Sequence, residues 1–164
     1  MPRSKILQVL SYIIKNHPNV SVTSLMKVLY LIDLVAIKRR NSQISDFQYI
    51  RYNYGPFDKK IYKYLEELGK DNIIKEGAEI SSTGDEFVTY SINKKNNIYF
   101  DKISDDEKKI IDEVLESLEG YGIKALTELT YRTKPMKKIG ATLENKAGYL
   151  QSKLRKRCVQ QQIR

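Results

Sequence analysis

The sequence has a single cysteine, Cys158, a single histidine, His17, and no tryptophan. One cysteine cannot form an internal disulfide, which indicates a reducing, cytoplasmic environment. One cysteine and one histidine do not supply a zinc-binding set. The one histidine, His17, lies beside Pro18 in a predicted turn, and we expect no catalytic triad that uses histidine. We therefore expect a protein without a metal or a cofactor.

Signals for phosphate loops, membrane spans and export are also missing. The sequence contains neither GxxxxGK(S/T) nor GxGxxG, the glycine-rich motifs that bind nucleotide phosphates. Its apolar runs are shorter than the roughly 20 residues that cross a bilayer. The first residues lack the features of a signal peptide. Dispersed carboxylates leave a hydrolase as a distant third interpretation, so we predict a cytoplasmic protein that is not an enzyme and does not bind a membrane.

The net charge of +9 is concentrated at one end of the chain. Residues 132–164 contain ten basic side chains and one acidic one, Glu144, which leaves residues 1–131 without net charge. A basic tail suits an acidic partner such as nucleic acid. The alternative is a solvated helix whose charge only serves solubility. The candidates for nucleic-acid contact are Lys153, Arg155, Lys156 and Arg157.

Apolar spacing predicts the first half of the fold. Apolar residues three and four positions apart predict a helix over residues 4–16. A second helix, capped by Ser21 or Thr23, runs to about Arg39 and is apolar on nearly every side, which is typical of the central helix of a domain. Residues 47–54 are rich in strand-forming side chains and are predicted to be extended.

The middle of the chain is predicted to hold a helix and a hairpin. A helix is expected over Pro56–Leu68, because proline fits the first helical turn, and Gly69 is expected to close it. Residues 73–75 and 87–92 have the composition of strands, and residues 78–85 that of a loop. Together they predict a small hairpin or wing.

A capping box, Ser104–Glu107, predicts the start of a further helix. We interpret its acidic residues as helix-capping groups that the helix dipole favours, in preference to a cation site. Two more helices are expected, one over residues 123–134 and a basic one over residues 142–159. The predicted fold is α+β and mainly α: a helical domain over residues 1–140 with a winged-helix-like segment, and a basic C-terminal helix or tail over residues 141–164.

A cluster of tyrosines lies in the extended segment. Tyr49, Tyr52 and Tyr54, together with Arg51, have three interpretations. They can form a half-buried strand with hydroxyls at its rim, anchors for a protein partner, or a platform on which single-stranded nucleic acid stacks.

The predicted order of elements is that of a winged helix, in which Pro56–Leu68 would be the recognition helix. This helix and Lys70 carry a net charge of only +1, which is weak for an element that enters a phosphate-lined groove. A DNA-binding transcriptional regulator is therefore the second interpretation of function.

Two motifs lie about two dozen residues apart: Leu25-Met26-Lys27-Val28-Leu29-Tyr30 in the second predicted helix, and Tyr54-Gly55-Pro56 after it. Together they resemble the Panacea domain, also called SocA-like, in which a helix of the form Leu-Gln-Lys-Leu-Leu-Tyr precedes a Tyr-Gly-Pro turn and another helix. The matching positions are Leu25, Lys27, Leu29, Tyr30, Tyr54, Gly55 and Pro56. A second family motif, a Leu-Ser-x-Leu-Thr-His stretch that ends in Pro-Trp, is more weakly similar to residues 126–131 and Pro135 of this sequence. The sequence departs from the family pattern at Met26, Tyr131 and Met136, where the family usually has Gln, His and Trp.

The resemblance implies an antitoxin that neutralises a toxin by direct binding and has no catalysis of its own. Such antitoxins are often found on prophages and mobile elements, and some deliver the toxin to a protease. The implied partner is a protein toxin encoded by a neighbouring gene, and a homodimer is a further possibility. We expect the partner-binding residues to be Lys27, Tyr30, Tyr52, Tyr54, Gly55 and Pro56.

Overall fold

The computed structural model describes residues 3–52 and 55–140. These residues form six helices and five strands, which confirms an α+β fold that is mainly α. In chain order, the elements are α1 (Lys5–Asn16), β1 (Val20–Ser21), α2 (Val22–Arg40), β2 (Ile50–Tyr52), β3 (Gly55–Phe57), α3 (Lys60–Lys70), β4 (Ile74–Ile80), β5 (Glu86–Ile92), α4 (Asp105–Ser117), α5 (Ile123–Tyr131) and α6 (Lys134–Gly140).

Helix α2 is the centre of the core, as its apolar composition predicts. Ser21 caps it by accepting a hydrogen bond from the Ser24 backbone N–H at 3.2 Å. Most of its residues are buried, because α4, α5, β3 and the sheet strands β1 and β5 pack around it. Within the described ranges no helix is both long enough and apolar enough to cross a membrane.

The five strands form two small antiparallel sheets. The larger has the order β1-β5-β4, and β4 pairs with β5 from Ile74 opposite Ile92 to Ile80 opposite Glu86. This confirms the predicted hairpin. It is longer than predicted, because residues 78–80 pair with β5 instead of forming a loop. The smaller sheet is the hairpin β2-β3. The winged-helix arrangement stays a prediction.

The prediction that Pro56 begins a helix is wrong. Pro56 lies in β3 opposite Arg51, and α3 begins at Lys60. Proline is tolerated in an edge strand because its missing N–H need not pair. The start of α3 is fixed instead by Asp58, whose Oδ1 accepts a hydrogen bond from the Lys60 backbone N–H at 3.0 Å. Gly69 does not close α3, since the helix continues to Lys70.

The second half of the chain follows the sequence closely. Ser104 and Glu107 form the predicted capping box at the start of α4. Helix α6 has no counterpart in the elements that the sequence predicts; Pro135 lies in its first turn, where its missing N–H has no helical partner. The predicted basic helix over residues 142–159 lies outside the described residues, and the division of the chain after residue 140 stays a prediction.

Candidate partner-binding site

Gly55 lies where the hairpin β2-β3 packs against the helices. Its φ is +115°, a backbone conformation that L-residues rarely adopt. A Cβ atom at this position would lie 3.4 Å from Thr130 Oγ1 and 3.5 Å from Lys27 Cε. The backbone of β3 therefore rests directly on α2 and α5, and Gly55 permits both the conformation and the close approach.

Lys27 is buried beneath this strand. Its side chain is 1% exposed, and burial lowers its pKa to about 8. Among the described residues, no carboxylate forms an ion pair with it. Burial disfavours the charged form of a lysine, so an ammonium group at this position costs stability.

Tyr30 connects α2 to the junction of α5 and α6. It is fully buried, and its hydroxyl lies 2.7 Å from Thr133 Oγ1. Thr133 donates its own hydroxyl proton to the Thr130 carbonyl at 2.6 Å, so we assign Tyr30 as the donor in this pair. The Tyr30 ring also packs edge-on against Tyr49, with 5.2 Å between ring centroids.

Asp33 fixes the segment that leads into β2. Its carboxylate accepts hydrogen bonds from the backbone N–H groups of Ile44 and Ser45, each at 3.0 Å, from the Ser45 hydroxyl, and from Tyr49 Oη at 2.5 Å. Burial raises the pKa of Asp33, and these hydrogen bonds oppose that shift. Tyr49 is therefore part of the core, and its hydroxyl is buried against Asp33 instead of lying at the rim of a half-buried strand.

Arg51 fastens the hairpin to α5 and α6. Its guanidinium group lies 4.6 Å from the centre of the Tyr131 ring, a cation–π contact. Its Nη1 donates a hydrogen bond to the Met136 carbonyl at 3.1 Å. Met136 is itself fully buried. The hairpin is thus held from β2 by Arg51 and from β3 by the packing of Gly55.

The structure brings several predicted residues together. Lys27 contacts the position of Gly55, Pro56 is buried beside it, and Tyr30 reaches the same end of α5. The side chains of Tyr52 and Tyr54 lie outside the described residues, as do the tail residues Lys153, Arg155, Lys156 and Arg157. Their partner and nucleic-acid contacts stay predictions.

Sequence reasoning missed three residues that shape this region. Thr130 matches the threonine of the weaker family likeness over residues 126–131 but was not predicted as a site residue, and Thr133 carries no sequence signal, because threonine is common on helix surfaces. Asp33 did carry one, since it is an acidic residue within a helix that is apolar on nearly every side. A buried acid needs hydrogen-bond donors, and the polar segment that follows α2 supplies them.

Helix α3 does not present a strongly basic face. Lys60 Nζ donates to the Asp46 carbonyl at 2.9 Å and lies 3.7 Å from the Asp58 carboxylate. Lys70 pairs with Glu66 at 2.9 Å. Acidic neighbours thus engage two of the three lysines of α3, which leaves little positive charge on this helix for contact with phosphates.

The described residues contain no group of three or more His, Cys, Asp or Glu side chains arranged to hold a metal ion. A family model described as "Antitoxin SocA-like, Panacea domain" matches residues 25–135, from the first turn of α2 to the start of α6. Comparisons with curated proteins and with solved structures give no match.

Proposed function

Because the chain belongs to the family of SocA-like antitoxins with a Panacea domain, we propose that it neutralises a cognate toxin by binding it directly. The proposed toxin is a protein encoded by a neighbouring gene, and the proposed antitoxin acts in the cytoplasm without catalysis of its own. The family match supports this proposal because it includes Lys27, Gly55 and Thr130, the residues that meet where the hairpin packs on the helices.

The proposed contact surface is the connection between β2 and β3, residues 52–56. Both strands of this hairpin are anchored: Arg51 binds α5 and α6, and Gly55 packs on α2 and α5. An anchored base lowers the conformational entropy that a loop loses on binding. Tyr52 is the last residue of β2 and Tyr54 directly precedes β3, and tyrosine is one of the side chains that contribute most binding energy at protein interfaces.

Buried Lys27 is the observation that carries the proposal from the fold to this surface. A buried ammonium group without an ion pair in the described part of the chain lowers stability, and an apolar side chain would fill the same space at lower cost. Perturbed ionisable groups concentrate at functional sites. We propose that Lys27 and Tyr30 position the hairpin β2-β3 from the core side, and that Tyr52 and Tyr54 contact the toxin.

The test is rescue by co-expression with the product of the neighbouring gene. We expect full rescue by the wild-type chain, and binding weakened by about 1–2 kcal/mol for Tyr52→Ala or Tyr54→Ala, as for many interface tyrosines. Lys27→Met is expected to fold and to reduce rescue. Lys63→Met, a change at an exposed lysine of α3, is the matched control and is expected to retain it.

Circular dichroism on each variant separates loss of binding from loss of fold. A folded Tyr54→Ala protein with full rescue and unchanged affinity would remove residues 52–56 from the proposed surface. A neighbouring gene product that is harmless when expressed alone would contradict the antitoxin function itself.

A further inference from the structure

The outer edge of β4 is an unpaired strand edge. The order β1-β5-β4 places β4 at the border of its sheet, and residues 75–80 are all exposed. Ile80 is 75% exposed, the largest exposure among the large apolar side chains of the described residues. A long exposed edge is a template for pairing with another strand, and proteins commonly use such edges for assembly.

The hydrogen bonds between β4 and β5 determine which backbone groups of β4 point outward. At one end of the pair, the Asn93 N–H donates to the Ile73 carbonyl at 2.8 Å. At the other end, the Ser81 N–H donates to the Asp85 carbonyl at 2.8 Å. The odd-numbered residues of β4 therefore direct their backbone N–H and C=O groups towards β5, because hydrogen-bonded pairs alternate along an antiparallel ladder.

The even-numbered residues Ile74, Glu76, Ala78 and Ile80 direct their backbone groups away from the sheet. Within the part of the chain that the structure describes, no hydrogen bond reaches these outward groups. A strand added at this edge must pair its own outward-facing residues with these four. For two copies related by a two-fold axis, that condition restricts the pairing to registers in which even residues face even residues.

One of these registers is self-complementary in charge. With the two-fold axis at Gly77, Lys75 of each copy lies opposite Glu79 of the other, and Ile74 lies opposite Ile80. A shift of the axis to Glu76 places two glutamates opposite each other, and a shift to Ala78 removes the Lys75–Glu79 pairs. Opposite charges directly across a ladder stabilise it, and like charges destabilise it.

The geometry of this register favours both the charge pairs and the backbone hydrogen bonds between the two copies. The Lys75–Glu79 pairs fall at non-hydrogen-bonded positions, where side chains across an antiparallel ladder are closest. The four outward-facing residues of each copy would exchange about eight backbone hydrogen bonds in total. Ile80, which is exposed in the single chain, would lie opposite Ile74 of the other copy, at the border of that copy's core.

We propose that a second copy of this chain pairs antiparallel with β4 about Gly77 and forms a two-fold dimer with one continuous sheet. This interface uses the hairpin β4-β5, whereas the proposed toxin surface lies on the hairpin β2-β3. The dimer and the antitoxin function can therefore be tested separately.

Charge reversal tests both the edge and its register. Lys75→Glu places a glutamate opposite Glu79 of the other copy, and Glu79→Lys places a lysine opposite Lys75. We expect the dissociation constant of the homodimer, measured by sedimentation equilibrium, to rise about tenfold or more for each variant, since two symmetry-related pairs change from attraction to repulsion. An equimolar mixture of the two variants restores opposite charges across the ladder and is expected to form heterodimers.

The cross-strand partners of Lys75 and Glu79 within the chain are Ser91 and Phe87, which carry no charge, so the reversals create no conflict in the monomer. The matched controls are Lys95→Glu and Glu119→Lys, which change the net charge equally at exposed positions outside β4. Both controls are expected to retain the wild-type dissociation constant.

Ala78→Pro is a second test that leaves the charges unchanged. It removes an outward N–H without removing a bond to β5, so the variant is expected to fold and to be monomeric. A wild-type protein that is monomeric up to its highest soluble concentration would overturn the proposal. So would single charge reversals that dimerise as the controls do, or a mixture that does not associate.

Discussion

Glu107 joins three helices at a single carboxylate, and its replacement is expected to change the pH dependence of folding. The side chain is 3% exposed at the start of α4. It accepts a hydrogen bond from Lys5 Nζ of α1 at 2.5 Å and pairs with Arg40 Nη1 of α2 at 3.1 Å. It also accepts a hydrogen bond from the Ser104 backbone N–H at 3.0 Å in the capping box. Glu107→Gln keeps the shape and the cap while removing the charge.

The magnitude follows from the pKa of Glu107. Burial by itself raises this pKa, but the hydrogen bonds from Lys5, Ser104 and Arg40 outweigh burial and lower it from 4.5 to about 2. One pKa unit corresponds to about 1.4 kcal/mol, so the full difference corresponds to about 3 kcal/mol. Lys5 and Arg40 are partly exposed, which screens the pairs; we expect a loss of about 2 kcal/mol at pH 7.

The sign of the pH dependence is fixed by the lowered pKa. The folded state binds the proton more weakly than the unfolded state, so the contribution of Glu107 is complete above pH 4.5 and is lost as the pH falls towards 2. Urea unfolding of wild type and Glu107→Gln at a series of pH values measures it. The difference between the two proteins is expected to shrink across this window. Glu66→Gln, which breaks the exposed pair with Lys70, is the control and is expected to change stability little. A loss for Glu107→Gln that is independent of pH, or no larger than the control, would refute the reasoning.

Three further changes test other parts of the molecule. Gly55→Ala is expected to lower the free energy of unfolding by about 1–3 kcal/mol because of the positive φ of Gly55, and Gly55→Val by more. The control is Gly69→Ala, in a helix with open space around it, which is expected to be neutral or stabilising. Equal effects of the two alanine variants in thermal melts would contradict backbone strain at Gly55. Lys27→Met is expected to raise stability at pH 7 by about 1–3 kcal/mol, since burial lowers the lysine pKa to about 8. The folded state then releases the lysine proton before the unfolded state does, so wild type should regain stability as the pH rises from 8 towards 10.5; a constant difference in urea unfolding would argue against a buried ammonium. In the tail, the residues to replace with glutamine are Lys153, Arg155, Lys156 and Arg157. Each lost phosphate contact is expected to reduce the slope of log affinity against log salt for duplex DNA by about 0.9, measured in a gel-shift series. An unchanged slope would indicate that the tail is only a solvated segment.

The helices could be predicted because their signals are local. The apolar stripe of α1, the all-round apolar character of α2 and the capping box of α4 each lie within a short stretch of chain, and all three appear in the structure. The hairpin β4-β5 was also predictable in position. Its length was not, because Ala78 and Glu79 have low strand propensity and are held in the strand by their partners on β5.

The start of α3 shows why the region of the site was harder to predict. Gly55-Pro56 has the local composition of a helix start, and only tertiary contacts decide otherwise. Thr130 and Lys27 lie on helices that are distant in sequence, and they place Gly55 in a strand. Asp58 then supplies the acceptor for the first turn of α3. Local propensity is a weak prior where such long-range packing competes with it.

The burial of the family motif bears on which residues of this chain could select the proposed toxin. Lys27, Tyr30 and Gly55 carry the resemblance to the family, and all three are buried against α5 or β3. Buried side chains determine where the hairpin β2-β3 lies, but they do not offer an exposed surface that distinguishes one partner from another. In the proposed function, selectivity for the toxin therefore depends on exposed residues around the hairpin. In the proposed mechanism the buried motif holds the hairpin β2-β3 in place. Exposed residues that select the partner can then change without disturbing the core that positions the hairpin.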